Sequence, residues 1–337
     1  MVDSFLEKYL DALLAQVLDP AKRIHLAYLA TALVIAIAWL MWVKRVSFIR
    51  ALRAGFDRRV FLGASGRADL RVFLINQAIM LALSPLLLGR LVVAGAVYLF
   101  LADALHNPGG LLIWPQWLVA ALFTVSYFLL DDASRYGLHR LLHEWPMLWA
   151  FHKVHHSART LSPLTVYRTH PVESILFALR GAIVQGGVTA VFVFVFGTQV
   201  NLLTVLGASV VVFAFNVTGA NLRHSHIHLR YWSGLEHVFI SPFQHQLHHS
   251  SAPQHFNRNY GAMLAIWDWL GGTLVISKGQ ARPRFGLSRR PDAREQSLFG
   301  LYLLPFMDSL SVLRRRLSTW LSRARGAISV FVKPLLP

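Results

Sequence analysis

Apolar residues run almost unbroken through positions 26–43, 72–105, 111–130, 175–197 and 201–220, with most of the charge between these runs. At about 1.5 Å per residue, roughly 20 apolar residues cross the hydrocarbon layer of a bilayer, so the first run predicts one span. The following stretch carries Lys44, Arg45, Arg50, Arg53, Arg58, Arg59, Arg67 and Arg71 against Asp57 and Asp69. This predicts a cytoplasmic loop, with the N-terminus and His25 on the opposite face. The second run is long for one straight helix and short for two; Arg90 lies inside it, and Ser84-Pro85 predicts a kink. The third run follows an uncharged turn at 106–110 and ends at Asp131-Asp132. The fourth and fifth, joined by uncharged residues 197–201, predict a transmembrane hairpin over 175–220 that leaves and returns on one side. Beyond it, Arg314, Arg315, Arg316, Arg323 and Arg325 alternate with Leu310, Leu313, Leu317, Trp320 and Leu321, the pattern of a helix lying in the bilayer interface.

The reading is all-α: an integral membrane helical bundle with an N-terminal transmembrane region at 1–110, a central region at 111–280 and a basic amphipathic segment at 281–337. Composition supports it. The chain is 55% hydrophobic and 15% charged, with a mean hydropathy of +0.47. A net charge of +17 would suit nucleic acid, but in so apolar a chain it marks cytoplasmic loops and anionic lipid contacts, and no nucleic-acid partner is expected. The absence of cysteine excludes disulfides, thiolate metal sites, iron–sulfur clusters and cysteine nucleophiles.

Ten of the sixteen histidines fall into four compact groups: His139 and His143; His152, His155 and His156; His224 and His228; His245, His248 and His249. Two groups repeat H-x-x-H-H. Residues at i, i+3 and i+4 share a helix face, so each triplet is predicted to aim at one volume. Packing ten imidazoles without metal strands polar nitrogens at about 1–3 kcal/mol each, and imidazole is a favoured ligand of iron, zinc, copper and nickel. Ten nitrogens exceed one coordination sphere, which predicts two metal ions in a histidine-rich cap on the cytoplasmic side. A haem would need single ligands facing each other from spanning helices, and clustered triplets fit that poorly.

The strings His139-Arg140-Leu141-Leu142-His143, His152-Lys153-Val154-His155-His156 and His245-Gln246-Leu247-His248-His249 resemble the histidine boxes of the fatty acid hydroxylase/sterol desaturase superfamily. Asp132, Tyr136 and His139, then Arg168, His170, Pro171 and Glu173, then Asn259-Tyr260-Gly261, Trp267-Asp268 and Gly272-Thr273 extend the resemblance over about 131–275. Where the family often has His-Ser-Asn, this chain has His224-Ser225-His226-Ile227-His228; His226 or His228 is then the second ligand of that group, and spacing favours His228. The resemblance implies a fatty acid hydroxylase-like catalytic region at 111–280 holding two Fe ions, with Zn as a replacement in purified protein and O2 as co-substrate. Asp132, His170 and Asp268 are candidates to orient the ligands from behind.

Such a centre implies hydroxylation of a C–H bond in a membrane lipid, or desaturation by the same centre, with Trp145, Trp149, Phe151, Tyr167, Trp232, Phe239 and Phe243 available as pocket walls. Electrons must come from a separate reductase or small carrier, because the chain has no nucleotide fingerprint and no cysteine. Two other classes are open: a zinc-dependent membrane hydrolase, with Glu144 or Glu173 as base, and a metal transporter, whose ligands would lie within the spans.

Overall fold

The computed structural model describes residues 2–205, 208–288 and 293–332. Helices follow one another as α1 (Val2–Leu18), α2 (Leu26–Trp42), α3 (Phe48–Gly55), α4 (Arg58–Phe61), α5 (Ala64–Leu83), α6 (Arg90–Ala104), α7 (Gln116–Glu144), α8 (Pro146–His156), α9 (Pro171–Phe196), α10 (Val210–Val217), α11 (Pro242–His248), α12 (Ile266–Leu270), α13 (Leu298–Tyr302) and α14 (Leu304–Val332). The strand content of the described residues is a two-residue ribbon, Thr204–Val205 against Ala208–Ser209. Three helical stretches, 64–104, 116–144 and 171–199, are long and apolar enough to cross a membrane, and the chain is an integral membrane protein of all-α architecture.

The second apolar run is two helices. Pro85 has no N–H to continue the ladder of α5, so the chain passes through a short 3-10 turn at Ser84–Leu86 and restarts at Arg90. From there α6 packs tightly on α9: a Cβ added at Gly186 would stand 2.7 Å from the Arg90 carbonyl oxygen. Of the expected hairpin, the outgoing arm is α9, but the return arm is helical only over Val210–Val217. Before it, Leu203 N–H donates to Thr124 Oγ1 of α7 (3.0 Å).

The first run departs from expectation. Arg23, just before α2, donates to the Ala220 carbonyl, and Asn221 donates back to the Arg23 carbonyl. Further along α2, Ala32 and Ala36 pack on Leu222, Ile227 and Leu229, with Trp39 and Tyr231 alongside. Tyr167, in the loop after the second histidine box, donates to Gln16 of α1 (2.8 Å). The whole N-terminal segment therefore lies on the histidine side, and the expected placement of the N-terminus and His25 on the opposite face does not hold. Small residues on one face of α2 let it lie against protein where hydropathy alone predicts lipid on all sides.

The C-terminal segment also does more than coat the interface. Lys153 of α8 pairs with Asp308 of α14, and Phe306 packs against Phe151 at 5.2 Å between ring centres. Along the helix Met307, Leu310, Leu317 and Trp320 remain exposed. Behind α8, fully buried Arg168 pairs with Asp69 of α5 at 3.0 Å and bonds Ser157, Val154 and the Glu295 carbonyl.

Candidate metal centre

α7 carries His139 and His143 one turn apart; α8 carries one triplet and α11 with its C-cap residue His249 the other; and the left-handed turn at Gly219 (φ +92) leads into the 3-10 turn that presents His224. Nine of the ten predicted histidines converge in two adjoining groups, His139, His143, His152, His156 and His248, and His155, His224, His245 and His249. Within each group the ligand atoms lie within 4.8 Å of one another. His156 and His249, stacked at 4.5 Å, join the groups. The triplets do not each aim at one volume. In both, the residues at i and i+4 enter one group and the residue at i+3 enters the other: His152 and His156 against His155, His245 and His249 against His248.

Proton positions follow from the acceptors. His139 Nδ1 lies 2.7 Å from the Tyr260 carbonyl and His248 Nδ1 lies 2.8 Å from the Arg258 carbonyl. A carbonyl only accepts, so both protons are on Nδ1 and both Nε2 lone pairs face inward. His152 Nε2 meets Nε2 of His139 and His156 at 3.1 and 3.2 Å; His224 Nε2 meets those of His155 and His245 at 3.2 and 3.0 Å. The Nε2 atoms of His143 and His248 are buried without a partner. Converging lone pairs with too few protons between them fit divalent metal ions. Burial pushes His152 down to about 3 and His155 to about 4, and holds His156, His224, His245, His248 and His249 well below the ordinary imidazole value. The imidazoles are thus neutral, the form that ligates.

A family model for fatty acid hydroxylase matches residues 124–273, which contain all nine converging histidines. Over these residues the chain is similar to the fatty acid hydroxylase/sterol desaturase superfamily. Its relatives include an ornithine lipid hydroxylase of Rhizobium tropici, 29% identical over 160 residues, 48% of this chain and 44% of that one. An alkylglycerol monooxygenase of Danio rerio is 28% identical over 162 residues, 48% and 31% of the two chains. A protein of Arabidopsis thaliana named as a Delta(7)-sterol-C5(6)-desaturase is 26% identical over 165 residues, 48% and 51%. The chain thus spans about half or less of the length of these relatives. No solved structure matches it.

Against the superfamily pattern, His228 stands apart. The helical spacing that favoured it is absent, because helical geometry ends at His224 and residues 225–230 are irregular. His228 Nδ1 instead contacts Gln246 Oε1 (2.7 Å), and buried Gln246 donates to the carbonyls of Leu222, Ser225 and Ile227, shaping the loop that delivers His224. The alternative, His226, reaches the Ala54 carbonyl and no other histidine.

The three expected supporting residues divide as well. Asp268 accepts from the N–H groups of Tyr260 and Gly261, so it steadies the peptide whose carbonyl orients His139. Asp132 accepts from Met263, Leu264 and Trp267, tying α7 to the C-terminal part of the site without touching a histidine. His170 caps α9, accepting from Val172 N–H, with Nε2 donating to the Tyr302 carbonyl. The direct carboxyl partner is Glu173, expected from sequence as part of the Arg168–Glu173 motif or as the base of a hydrolase: Oε1 lies 3.0 Å from His152 Nδ1, in an oblique contact. Its place one turn into a helix capped by His170 was the available signal.

A cavity of about 300 Å³ reaches His143, His156 and His248 between Trp149, Phe256 and Leu287. Of the aromatic walls expected from sequence, Trp149 alone lines it. Phe151 packs on His170, Tyr167 on Phe73 and Phe243 under Arg230, while Trp145, Trp232 and Phe239 are exposed.

Proposed function

We propose that this chain is a membrane-bound di-iron oxygenase that uses O2 and external electrons to hydroxylate a C–H bond of a lipid. The observation that carries this reading is the convergence of nine histidines, two half-buried and seven buried, into two adjoining groups within a fatty acid hydroxylase domain. His139, His143, His152, His156 and His248 would hold one ion, and His155, His224, His245 and His249 the other. Bound there, the pair would supply O2 activation. The protein's own part is to keep the imidazoles neutral, fix their ring orientation through Tyr260, Arg258 and Glu173, and admit an apolar chain beside Trp149 and Leu287. The relatives named for lipid hydroxylation and monooxygenation support the substrate class. The membrane surface on the histidine side is read as cytoplasmic from the basic stretch 44–71, and an external reductase or small electron carrier would dock there.

Desaturation by the same centre is the second reading, favoured by the relative named as a sterol desaturase. A zinc hydrolase fits less well, because Glu173 faces away from the lone pairs, against His152 Nδ1. The test is metal analysis of anaerobically purified protein, joined to O2 uptake on adding reductant and membrane lipid. Two irons per chain and lipid-dependent uptake are expected; a site that takes only zinc under anaerobic loading with iron, and no uptake, overturns the reading.

A further inference from the structure

Beside the second histidine group lies a pair of cations without a counter-charge. Arg23 Nη2 and Arg223 Nε both donate to one acceptor, the Ala220 carbonyl, each at 3.3 Å, so the two guanidinium groups meet across a single oxygen. Arg223 is 4% exposed, lies over the Phe215 ring at 4.8 Å, and immediately precedes His224. Neither arginine forms an ion pair with a described carboxylate, and Arg23 Nε is buried without a partner. Asp132, whose charge reaches Arg223, already accepts three N–H bonds from the opposite side.

A buried charge without a partner is costly, and two that repel each other are more so. Other buried arginines here are compensated: Arg168 has Asp69 and Arg180 has Asp131. Arg23 Nε is the buried donor left unfilled, and a planar guanidinium edge matches the oxygens of a phosphate or carboxylate. The pair also lies where apolar surface begins, with Leu26 and Val34 of α2 exposed at 56% and 65%.

We propose that Arg23 and Arg223 seat the anionic headgroup, phosphate or carboxylate, of a membrane lipid whose chains run along α2. The seat rests on the membrane placement of the histidine cap, as the functional reading does, but not on oxygen chemistry.

The experiment uses the full chain in nanodiscs of phosphatidylcholine with increasing phosphatidylglycerol, read by native mass spectrometry of retained lipid and by thermal unfolding. The wild type is expected to retain phosphatidylglycerol over phosphatidylcholine and to melt higher in its presence. Arg23→Gln should lower that retention about tenfold, as loss of a charge-assisted contact implies. Arg223→Gln should do the same; if it fails to fold, Arg23→Gln and the wild-type titration carry the test. Equal retention of the two lipids, or full retention by Arg23→Gln, overturns the proposal. So does stabilisation by millimolar inorganic phosphate with no effect of phosphatidylglycerol, which would assign the seat to a free anion. Arginine-dependent retention in a protein without iron or O2 uptake would leave the lipid seat standing and remove the oxygenase reading alone.

Discussion

At the scale of single residues, the site depends on which nitrogen of each histidine faces inward, and that is set by groups behind the rings. Glu173→Gln leaves the fold's packing volume intact but replaces the carboxyl group that faces His152 Nδ1 with an amide. Metal affinity is expected to fall about 10- to 100-fold, measured by chelator competition on purified protein. His156→Ala and His249→Ala are expected to abolish turnover and lower bound metal with expression preserved, whereas His228→Ala should leave two metals bound. A His228→Ala protein with half the metal would return that residue to the ligand set. The neutral imidazoles also fix an acid limit. In the metal-free protein the unfolded chain takes up protons near the ordinary value of about 6.5, while folded His152 and His155 resist them down to about 3 and 4. Unfolded chains therefore bind more protons across that window, so stability is full above about 6.5 and falls as pH drops toward 4. Thermal unfolding of the apoprotein across pH 4–8 checks this; a flat profile would contradict neutral burial.

Among elements, α8, like the α11 triplet, cannot shift without disturbing both histidine groups, since it supplies His152 and His156 to one and His155 to the other. It is held from two sides, by α14 through Lys153–Asp308 and Phe306, and by Arg168 bonded to Val154, Ser157 and Asp69. Arg168→Met strands the Asp69 carboxylate in a dry interior, and a loss of about 3–5 kcal/mol is expected. Measured by denaturant unfolding in micelles, a change below about 1 kcal/mol would show that Arg168 does not clamp α8. Removing residues 304–337 should leave membrane insertion intact but loosen α8, detected as faster metal loss to chelator at unchanged expression.

For the whole molecule, the consequence is a route. The cavity at Trp149 and Leu287 opens onto the histidines of a chain with three helical stretches long and apolar enough to cross a membrane, so the substrate is expected to arrive laterally from the bilayer. Mass spectrometry of membranes with and without active protein distinguishes the outcomes. A gain of one oxygen on a lipid supports hydroxylation, a loss of two hydrogens supports desaturation, and changes confined to water-soluble metabolites would defeat both.

Sequence by itself determined that the chain is helical and membrane-embedded, because apolar run length answers directly to bilayer thickness. Its spacing also marked the nine histidines that the fold brings together, though not how they divide, because i, i+3 and i+4 share a helix face whatever the packing. Folding decided what depends on contacts between distant segments. The split of each H-x-x-H-H triplet between two groups follows from where α7 and Gly219 bring their own histidines. The place of His228 outside the two groups follows from Gln246 bonding the irregular loop that carries it. The N-terminal segment lies along the cap because Ala32 and Ala36 meet Leu222 and Ile227, whereas hydropathy cannot tell a protein-facing from a lipid-facing apolar helix. The pairing of Arg23 with Arg223, 200 residues apart in the chain, has no trace in local pattern at all.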